Sequence, residues 1–220
     1  MINSSVELGD KIEVIRKTGL KTNQHSFFSK IQEIPDENQI IITAPIENGK
    51  IIPLEMNWEY YLCIYTANGL YRCESEVVDR KRVDHMFYAT LKLKTKMQKY
   101  QRRQYYRLDC VLSFHYKNDE KEVWNNGLIL DISGGGLRFT SNAQLVPLEQ
   151  VVCHIQLNFE DDQKHLYVNG SIIDCNIIDF NANIYETRVA FDTISNDARE
   201  IVIRFIFEEE RKRRKKEKGM

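Results

Sequence analysis

Three features typical of membrane and secreted proteins are missing from this sequence. Its 220 residues contain no run of about eighteen apolar residues, so we expect no segment that spans a bilayer. The first residues, Met1–Ser5, lack the basic and then apolar pattern of a secretory signal. The five cysteines are odd in number and never spaced C-x-x-C, which argues against a disulfide framework or a zinc site. We therefore expect a cytoplasmic protein with buried free thiols.

Signatures of catalysis are missing as well. There is no G-x-S-x-G nucleophile elbow and no G-x-x-x-x-G-K-[ST] phosphate loop. The five histidines show neither H-x-x-x-H nor H-x-E spacing, so we predict no metal site. They are His25, His85, His115, His154 and His165. We expect a binding protein that has no catalytic residues, metal or cofactor, and that is not an enzyme.

The net charge is close to zero, −1 at pH 7, with 31 Lys and Arg against 32 Asp and Glu. This balance argues against a protein that coats a nucleic acid polymer. Basic residues are nevertheless concentrated in two stretches, Lys92–Arg107 and Arg211–Lys218. Both stretches are therefore open to interpretation as anion-binding patches.

The first half of the chain consists of short β-rich runs separated by turn residues. Lys11–Arg16 alternates with period two, as expected for a half-buried strand. Asn68-Gly69 lies between two β-rich runs, Tyr60–Thr66 and Leu70–Asp79, and this arrangement is a strong hairpin signal. The frequent turns and the lack of a helical pattern predict a small β-barrel over residues 1–94.

A polar, basic stretch then marks a domain boundary, and we predict an interdomain linker over residues 95–107. The second half is again mostly strands, among them Tyr105–Tyr116, which predict a second barrel over residues 100–216. Only its end differs, since Ser195 or Asn196 can cap a helix with apolar residues at helical spacing. The predicted fold class is mainly β, with two small barrels in tandem and a C-terminal α-helix.

The linker carries three arginines, Arg102, Arg103 and Arg107. A guanidinium group can bind two phosphate oxygens, or the O6 and N7 edge of guanine, through its planar fork. Its flat face can also stack on a base. Taken alone, these arginines are better explained as a solvated basic linker, and the motif becomes informative only in combination.

A glycine turn, Gly134–Gly136, follows a strand about thirty residues later and is preceded by Asp131 and Ser133. Consecutive glycines carry an entropic cost that a positive φ or the close approach of a ligand would explain. Asp131 can accept hydrogen bonds from guanine N1–H and from its exocyclic amino group. Ser133 can donate to a ligand or close the turn on its own backbone. Combined with the arginines, this turn favours a guanine nucleotide site.

The two motifs together resemble the signature of PilZ domains, R-x-x-x-R followed by [D/N]-x-S-x-x-G. Those domains are six-stranded barrels that act as receptors for the bacterial second messenger cyclic di-GMP. The first half, with Ile51-Ile52-Pro53-Leu54 and Asn68-Gly69-Leu70-Tyr71, is similar to the N-terminal barrel of YcgR-type flagellar brake proteins. That second similarity rests more on order and length than on a tight motif.

The resemblance implies a role for each motif residue. The predicted cyclic di-GMP contacts are Arg102, Arg103, Arg107, Asp131, Ser133, Gly135 and Gly136. The arginines would hold phosphates and guanine edges, with Arg102 adding a contact or a stacking face. Asp131 and Ser133 would read a guanine, and the glycines would keep the turn open. Whether one ligand or an intercalated pair binds is left open.

The resemblance also implies an output. Ligand binding would rearrange the two barrels, and the protein would restrain flagellar motility through motor or stator proteins. The basic C-terminal stretch is either a solvated helix end or a peripheral contact with anionic lipid near the inner membrane. The protein would be a monomer or a ligand-dependent dimer. Two alternatives stay open: control of polysaccharide synthesis or secretion, and a nucleic-acid-binding double barrel that uses Arg102, Arg103 and the basic tail.

Overall fold

The computed structural model describes residues 2, 4–17, 26–47, 49–118, 123–217 and 219. The chain divides into two compact units, and the division falls between Arg102 and Arg103. Each unit has its own hydrophobic core. The domain limits that we inferred from composition, 1–94 and 100–216 with a linker at 95–107, stay predictions.

The described residues of the N-terminal unit form nine strands. They are β1 (Lys11–Arg16), β2 (Ser26–Asp36), β3 (Gln39–Thr43), β4 (Ile46–Glu47), β5 (Lys50–Ile51), β6 (Glu59–Thr66), β7 (Gly69–Val83), β8 (Met86–Leu93) and β9 (Gln98–Lys99). The main sheet has the order β6-β1-β2-β3-β8-β7-β9, and β6 also pairs with β7. That additional pairing closes six of the strands into a ring, while β4 and β5 form a separate two-stranded hairpin.

Alternation along the strands fills the interior of this ring. On β1, for example, Ile12 and Val14 are fully buried, because every second side chain of a strand points to the same face. Glu13 lies between them and is only 6% exposed. The predicted hairpin is confirmed, since β6 ends at Thr66 and β7 begins at Gly69.

In the part of the C-terminal unit that the structure describes, there are six strands and one helix. They are β10 (Arg107–Asn118), β11 (Asn125–Ser133), β12 (Gly136–Ser141), β13 (Gln150–Asn158), β14 (Gln163–Asp179), β15 (Ile184–Thr193) and α1 (Asn196–Glu217). The strands close into a barrel in the order β10-β11-β12-β15-β14-β13. The prediction of a mainly β protein with two barrels, the second one six-stranded, and a C-terminal helix is confirmed.

Helix α1 closes over the core of this barrel. The Ser195 hydroxyl accepts a hydrogen bond from the Ala198 backbone N–H at 3.1 Å, so Ser195 is the N-cap. Val202, Phe205 and Ile206 are buried and belong to the barrel's own core. The apolar positions predicted to face the barrel therefore do so.

The second barrel begins later than predicted. We expected a strand from Tyr105, but β10 starts at Arg107. Residues 104–106 lie outside the sheet. The side chains of Tyr105 and Tyr106 both contact α1, and Tyr105 also contacts the glycine turn, as described below.

The sequence predicted buried free thiols and no segment that spans a bilayer. Cys63, Cys73 and Cys153 are buried and free, whereas Cys110 and Cys175 are free and half-buried. Among the described residues, no helix combines the length and the apolar character needed to cross a bilayer.

Candidate functional site

The centre of the site is the turn that joins β11 to β12. Ser133 pairs with Gly136, and Gly134 and Gly135 form the two-residue connection. The Ser133 hydroxyl donates to the Gly136 carbonyl at 3.1 Å and accepts from the Gly135 N–H at 3.3 Å. Of the two roles considered for Ser133, the structure therefore shows the closing of the turn. Its hydroxyl is already satisfied inside the protein.

The three glycines make room for the protein's own chain. None of them has a φ in the left-handed region, so the explanation by positive φ is wrong. A Cβ on Gly136 would lie 2.2 Å from the carbonyl oxygen of Val189 on β15, and a Cβ on Gly134 would lie 2.8 Å from the Tyr105 ring. Gly136 is thus needed for the close approach of β15, and Gly134 and Gly135 for the packing of Tyr105. Their predicted contact with a ligand stays a prediction.

Asp131 lies on the outer face of the barrel and is 7% exposed. The hairpin register places it opposite Arg138 on β12. Arg138 Nε donates to Asp131 Oδ2 at 2.6 Å, and Arg138 Nη1 donates to Glu186 Oε2 at 2.8 Å. The hydrogen bond to Asp131 is the main reason that the pKa of Arg138 lies above its usual value.

Arg138 and Glu186 are absent from the residues predicted from sequence. The signal for Arg138 was nevertheless present, because a two-residue turn at Gly134-Gly135 requires residue 131 to pair with residue 138. Glu186 belongs to a strand distant in sequence, and no local pattern identifies it.

Arg107 is the first residue of β10 and pairs with Ser133 in the register of β10 on β11. Side chains at directly opposed positions of antiparallel strands lie on the same face. Arg107 is exposed, and so is Arg103 at the start of the C-terminal unit. In the described part of the chain, neither guanidinium group has a hydrogen-bonding or ionic partner. The structure thus places Arg107 beside the turn and leaves both cationic groups available.

The segment between these two arginines is attached to α1. The Tyr105 hydroxyl is hydrogen-bonded to Arg199 Nη1, and the Arg199 guanidinium lies 5.2 Å from the Tyr105 ring centre. The Tyr106 hydroxyl donates to Glu210 Oε1 at 3.0 Å, which raises the pKa of Tyr106. These contacts, which the sequence did not reveal, hold the backbone that carries Arg103 and Arg107.

A groove of about 1290 Å³ lies between this segment and α1. Its lining includes Tyr105, Tyr106 and Gly134 on one side and Ile201 and Phe207 on the other. The groove therefore borders both the glycine turn and the segment that joins the two arginines, and its walls are partly aromatic.

Arg102 belongs to the N-terminal unit and has partners there. Its Nη1 lies 2.7 Å from Oε2 of the buried Glu13, and its Nη2 donates to the Tyr65 hydroxyl at 3.0 Å. Tyr65 in turn donates to Glu13 Oε2 at 3.0 Å. Burial disfavours the charged form of Arg102, but Glu13 and Tyr65 outweigh that effect and raise its pKa. A ligand contact through this guanidinium would compete with an existing ion pair.

No group of three or more His, Cys, Asp or Glu side chains suited to a metal ion occurs among the residues that the structure describes. His25 lies outside them.

Comparisons with known proteins identify a family for each half of the chain. Residues 101–208 match the PilZ domain family, and residues 7–93 match the family described as Flagellar protein YcgR. The fold is similar to the structure of Bacillus subtilis Inhibitor of motility (MotI/DgrA), with 18% identity, a TM-score of 0.77, and coverage of 95% of this chain and 100% of that one. It is also similar to Escherichia coli YcgR in complex with c-di-GMP, with 14% identity, a TM-score of 0.51, and coverage of 96% and 88%. No curated protein sequence matches the chain.

The family match over residues 101–208 and the fold thus define a PilZ-domain protein. The preceding barrel makes the assignment more specific: the chain belongs to the PilZ proteins that carry a YcgR-type N-terminal domain.

Replacement of Gly136 by alanine should destabilise the C-terminal barrel by about 1–3 kcal/mol, because the added methyl group meets backbone that cannot move aside. Gly135→Ala is the control. Its Cβ would meet only the Tyr105 ring, at 3.1 Å, and should cost less than about 1 kcal/mol. Urea unfolding followed by Trp124 fluorescence in a Trp58→Phe background measures both values. Equal losses for the two variants would contradict the assignment of Gly136 to strand packing.

Replacement of Arg102 by alanine should destabilise the N-terminal barrel by about 1–2 kcal/mol, because Glu13 loses its cationic partner while buried. The neighbouring exposed Arg103 serves as control, and Arg103→Ala should change stability by less than about 0.5 kcal/mol. Urea unfolding followed by Trp58 fluorescence in a Trp124→Phe background reports this barrel. If the two substitutions had the same effect, the ion pair with Glu13 would contribute nothing to the fold.

Proposed function

We propose that this protein is a receptor for cyclic di-GMP. The observation that carries the proposal is the placement of Arg107 opposite Ser133, next to an Asp131 carboxylate held on the outer face of the barrel. This arrangement sets a free cationic group beside an anionic acceptor. A guanine nucleotide diester offers the complementary pair, phosphate oxygens and the N1–H and amino donors of guanine.

Each predicted residue has a chemical task in this proposal. Arg103 and Arg107 bind phosphate oxygens or a guanine edge through charge-assisted hydrogen bonds. Asp131 accepts from guanine N1–H and from the exocyclic amino group. Gly135 and Gly136 are proposed to contact the ligand through their backbone, while the room left by their missing side chains is taken by Tyr105 and Val189. Ser133 keeps the turn in shape. In this proposal the protein acts by binding and is not an enzyme.

In this proposal, the contact between Arg102 and the ligand depends on the existing ion pair between Arg102 and Glu13. Its guanidinium is half exposed, so a phosphate can approach it while Glu13 is still bound. Full engagement of Arg102 requires the ligand to displace or share the contact with Glu13. Ligand affinity then includes the free energy of this exchange.

Binding at these residues changes how the two barrels are arranged. The arginines flank the division between the compact units, with Arg102 on one side and Arg103 on the other. A ligand held by both segments and by the turn at Asp131 favours whichever arrangement brings these groups together. This is a shift between pre-existing arrangements, driven by the difference in their affinities for the ligand.

The proposed output is restraint of flagellar motility through motor or stator proteins. Support comes from the match of residues 7–93 to Flagellar protein YcgR and from the fold shared with an inhibitor of motility. The protein would act in the cytoplasm, as a monomer or a ligand-dependent dimer, and would be recruited to the motor at the membrane. The basic end of α1, residues 211–217, would provide a peripheral contact there.

Calorimetric titration with cyclic di-GMP tests the binding step. The wild-type protein should bind, and Arg103→Ala and Arg107→Ala should each weaken binding about 10- to 100-fold, since each removes charge-assisted hydrogen bonds worth about 1.5–3 kcal/mol. Arg82→Ala, an exposed arginine on β7 of the other barrel, is the matched control and should bind like the wild type.

Two results would count against the proposal. Absence of binding by the wild-type protein would refute the receptor function itself. Wild-type affinity in both arginine variants would leave the function intact and remove these residues from the site.

A further inference from the structure

Arg138 links the candidate site to a row of alternating charges on the outer face of the C-terminal barrel. Glu186 on β15 binds Arg138 through Oε2 at 2.8 Å and approaches Arg188 Nη2 through Oε1 at 3.6 Å. Arg188 Nη1 lies 3.0 Å from Asp174 Oδ2 on β14. The row therefore crosses four strands, and Asp131 is its last carboxylate on the side of the glycine turn.

The position of Arg138 within this row is fixed from two directions. Its Nε is bound by Asp131 and its Nη1 by Glu186, so two edges of the planar guanidinium group are occupied. Arg138 is directly opposite Arg188 in the register of β12 on β15. Glu186 binds both arginines and so compensates the repulsion between like charges at opposed positions.

Asp131 has a less favourable neighbour on its other side. In the register of β10 on β11 it is opposite Asp109, so two carboxylates face each other across adjacent strands. Like charges at directly opposed positions repel each other. Arg138 is the cation bonded to Asp131, and it holds Oδ2 on the side away from Asp109. Arg213 of α1 lies on the other side, where it donates to the Asp109 backbone carbonyl.

We propose that Arg138 is a positioning residue that sets the guanine selectivity of the site by holding the Asp131 carboxylate in one orientation. The inference rests on the proposed function. A carboxylate distinguishes guanine by accepting from N1–H and the exocyclic amino group together, and this double contact requires a fixed orientation. Each carboxylate oxygen has two acceptor positions, so Oδ2 can bind Arg138 and still accept from a base. Without Arg138, repulsion from Asp109 would turn the carboxylate away from the base.

This role differs from a general contribution to affinity. A phosphate contact strengthens the binding of every cyclic dinucleotide to a similar degree. Positioning of Asp131 matters most for a base that presents both donors, because a base with N1–H alone makes only one of the two contacts. The distinguishing quantity is therefore the ratio of the affinities for two ligands that differ in the exocyclic amino group, such as cyclic di-GMP and cyclic di-IMP.

The experiment measures both affinities by calorimetry for the wild-type full chain, Arg138→Gln, Arg138→Lys and Arg188→Gln. The wild type should prefer cyclic di-GMP. Arg138→Gln should lose at least about tenfold in affinity for cyclic di-GMP and much less for cyclic di-IMP, so that the preference collapses. Arg138→Lys, which retains the charge, should restore part of the preference. Arg188→Gln removes an arginine from the same row without touching Asp131, and it should keep the wild-type preference.

The outcomes separate this inference from the proposed function. If the wild type binds cyclic di-GMP selectively and Arg138→Gln keeps the same preference, Arg138 does not position Asp131 and only this inference fails. An equal loss of affinity for both ligands would assign Arg138 a structural or phosphate-binding role and would also overturn it. If the wild type binds neither ligand, the proposed function and this inference fail together. Should Arg138→Gln not fold, the comparison of Arg138→Lys with the wild type gives the same decision.

Discussion

The register of β11 on β12 is the constraint on which the candidate site depends. A two-residue connection at Gly134-Gly135 pairs Ser133 with Gly136 and therefore Asp131 with Arg138. Because side chains alternate along a strand, a shift by one residue would turn Asp131 into the core and Ile132 outward. The close approach of β15 to Gly136 secures this register from the other side of β12. The acceptor, its cationic partner and the turn are thus outcomes of one backbone arrangement.

Much of the polar capacity of the site is already used within the protein. The Ser133 hydroxyl closes its own turn, Asp131 is bound to Arg138, and Arg102 is bound to Glu13. Of the three arginines predicted to bind the ligand, Arg103 and Arg107 present guanidinium groups that have no partner among the described residues. Ligand binding in this account therefore partly exchanges contacts within the protein for contacts with the ligand. The selectivity of binding depends on the residues that hold the exchanging side chains in place. Pre-organised groups of this kind lose little conformational entropy when the ligand arrives.

The fold was predicted well from sequence because its signals are local. Each of these signals lies within a few residues of the element that it predicts. They are the alternation in β1, Asn68-Gly69 at the turn between β6 and β7, and the spacing of Val202 and Phe205 in α1. The partners in the site were not predicted, because Glu13, Glu186 and Arg199 reach it from elements distant in sequence. The start of β10 was misplaced for the same reason. Strand propensity favours Tyr105 and Tyr106, but contacts with Arg199 and Glu210 on α1 withdraw them from the sheet. The glycine run was recognised as unusual, yet its cause, contact with Val189 and Tyr105, is tertiary.

The proposed function requires that bound cyclic di-GMP engages residues on both sides of the division between Arg102 and Arg103 and thereby changes the arrangement of the two barrels. Small-angle X-ray scattering of the full chain, with and without saturating cyclic di-GMP, tests it most directly. The mass obtained from forward scattering separates rearrangement from dimerisation. The account predicts a ligand-dependent change in the radius of gyration that the change in particle mass does not explain. At the lowest ligand concentration that saturates the wild type, Arg103→Ala should show a smaller change. Superimposable scattering curves from a protein that calorimetry shows to be saturated would contradict it.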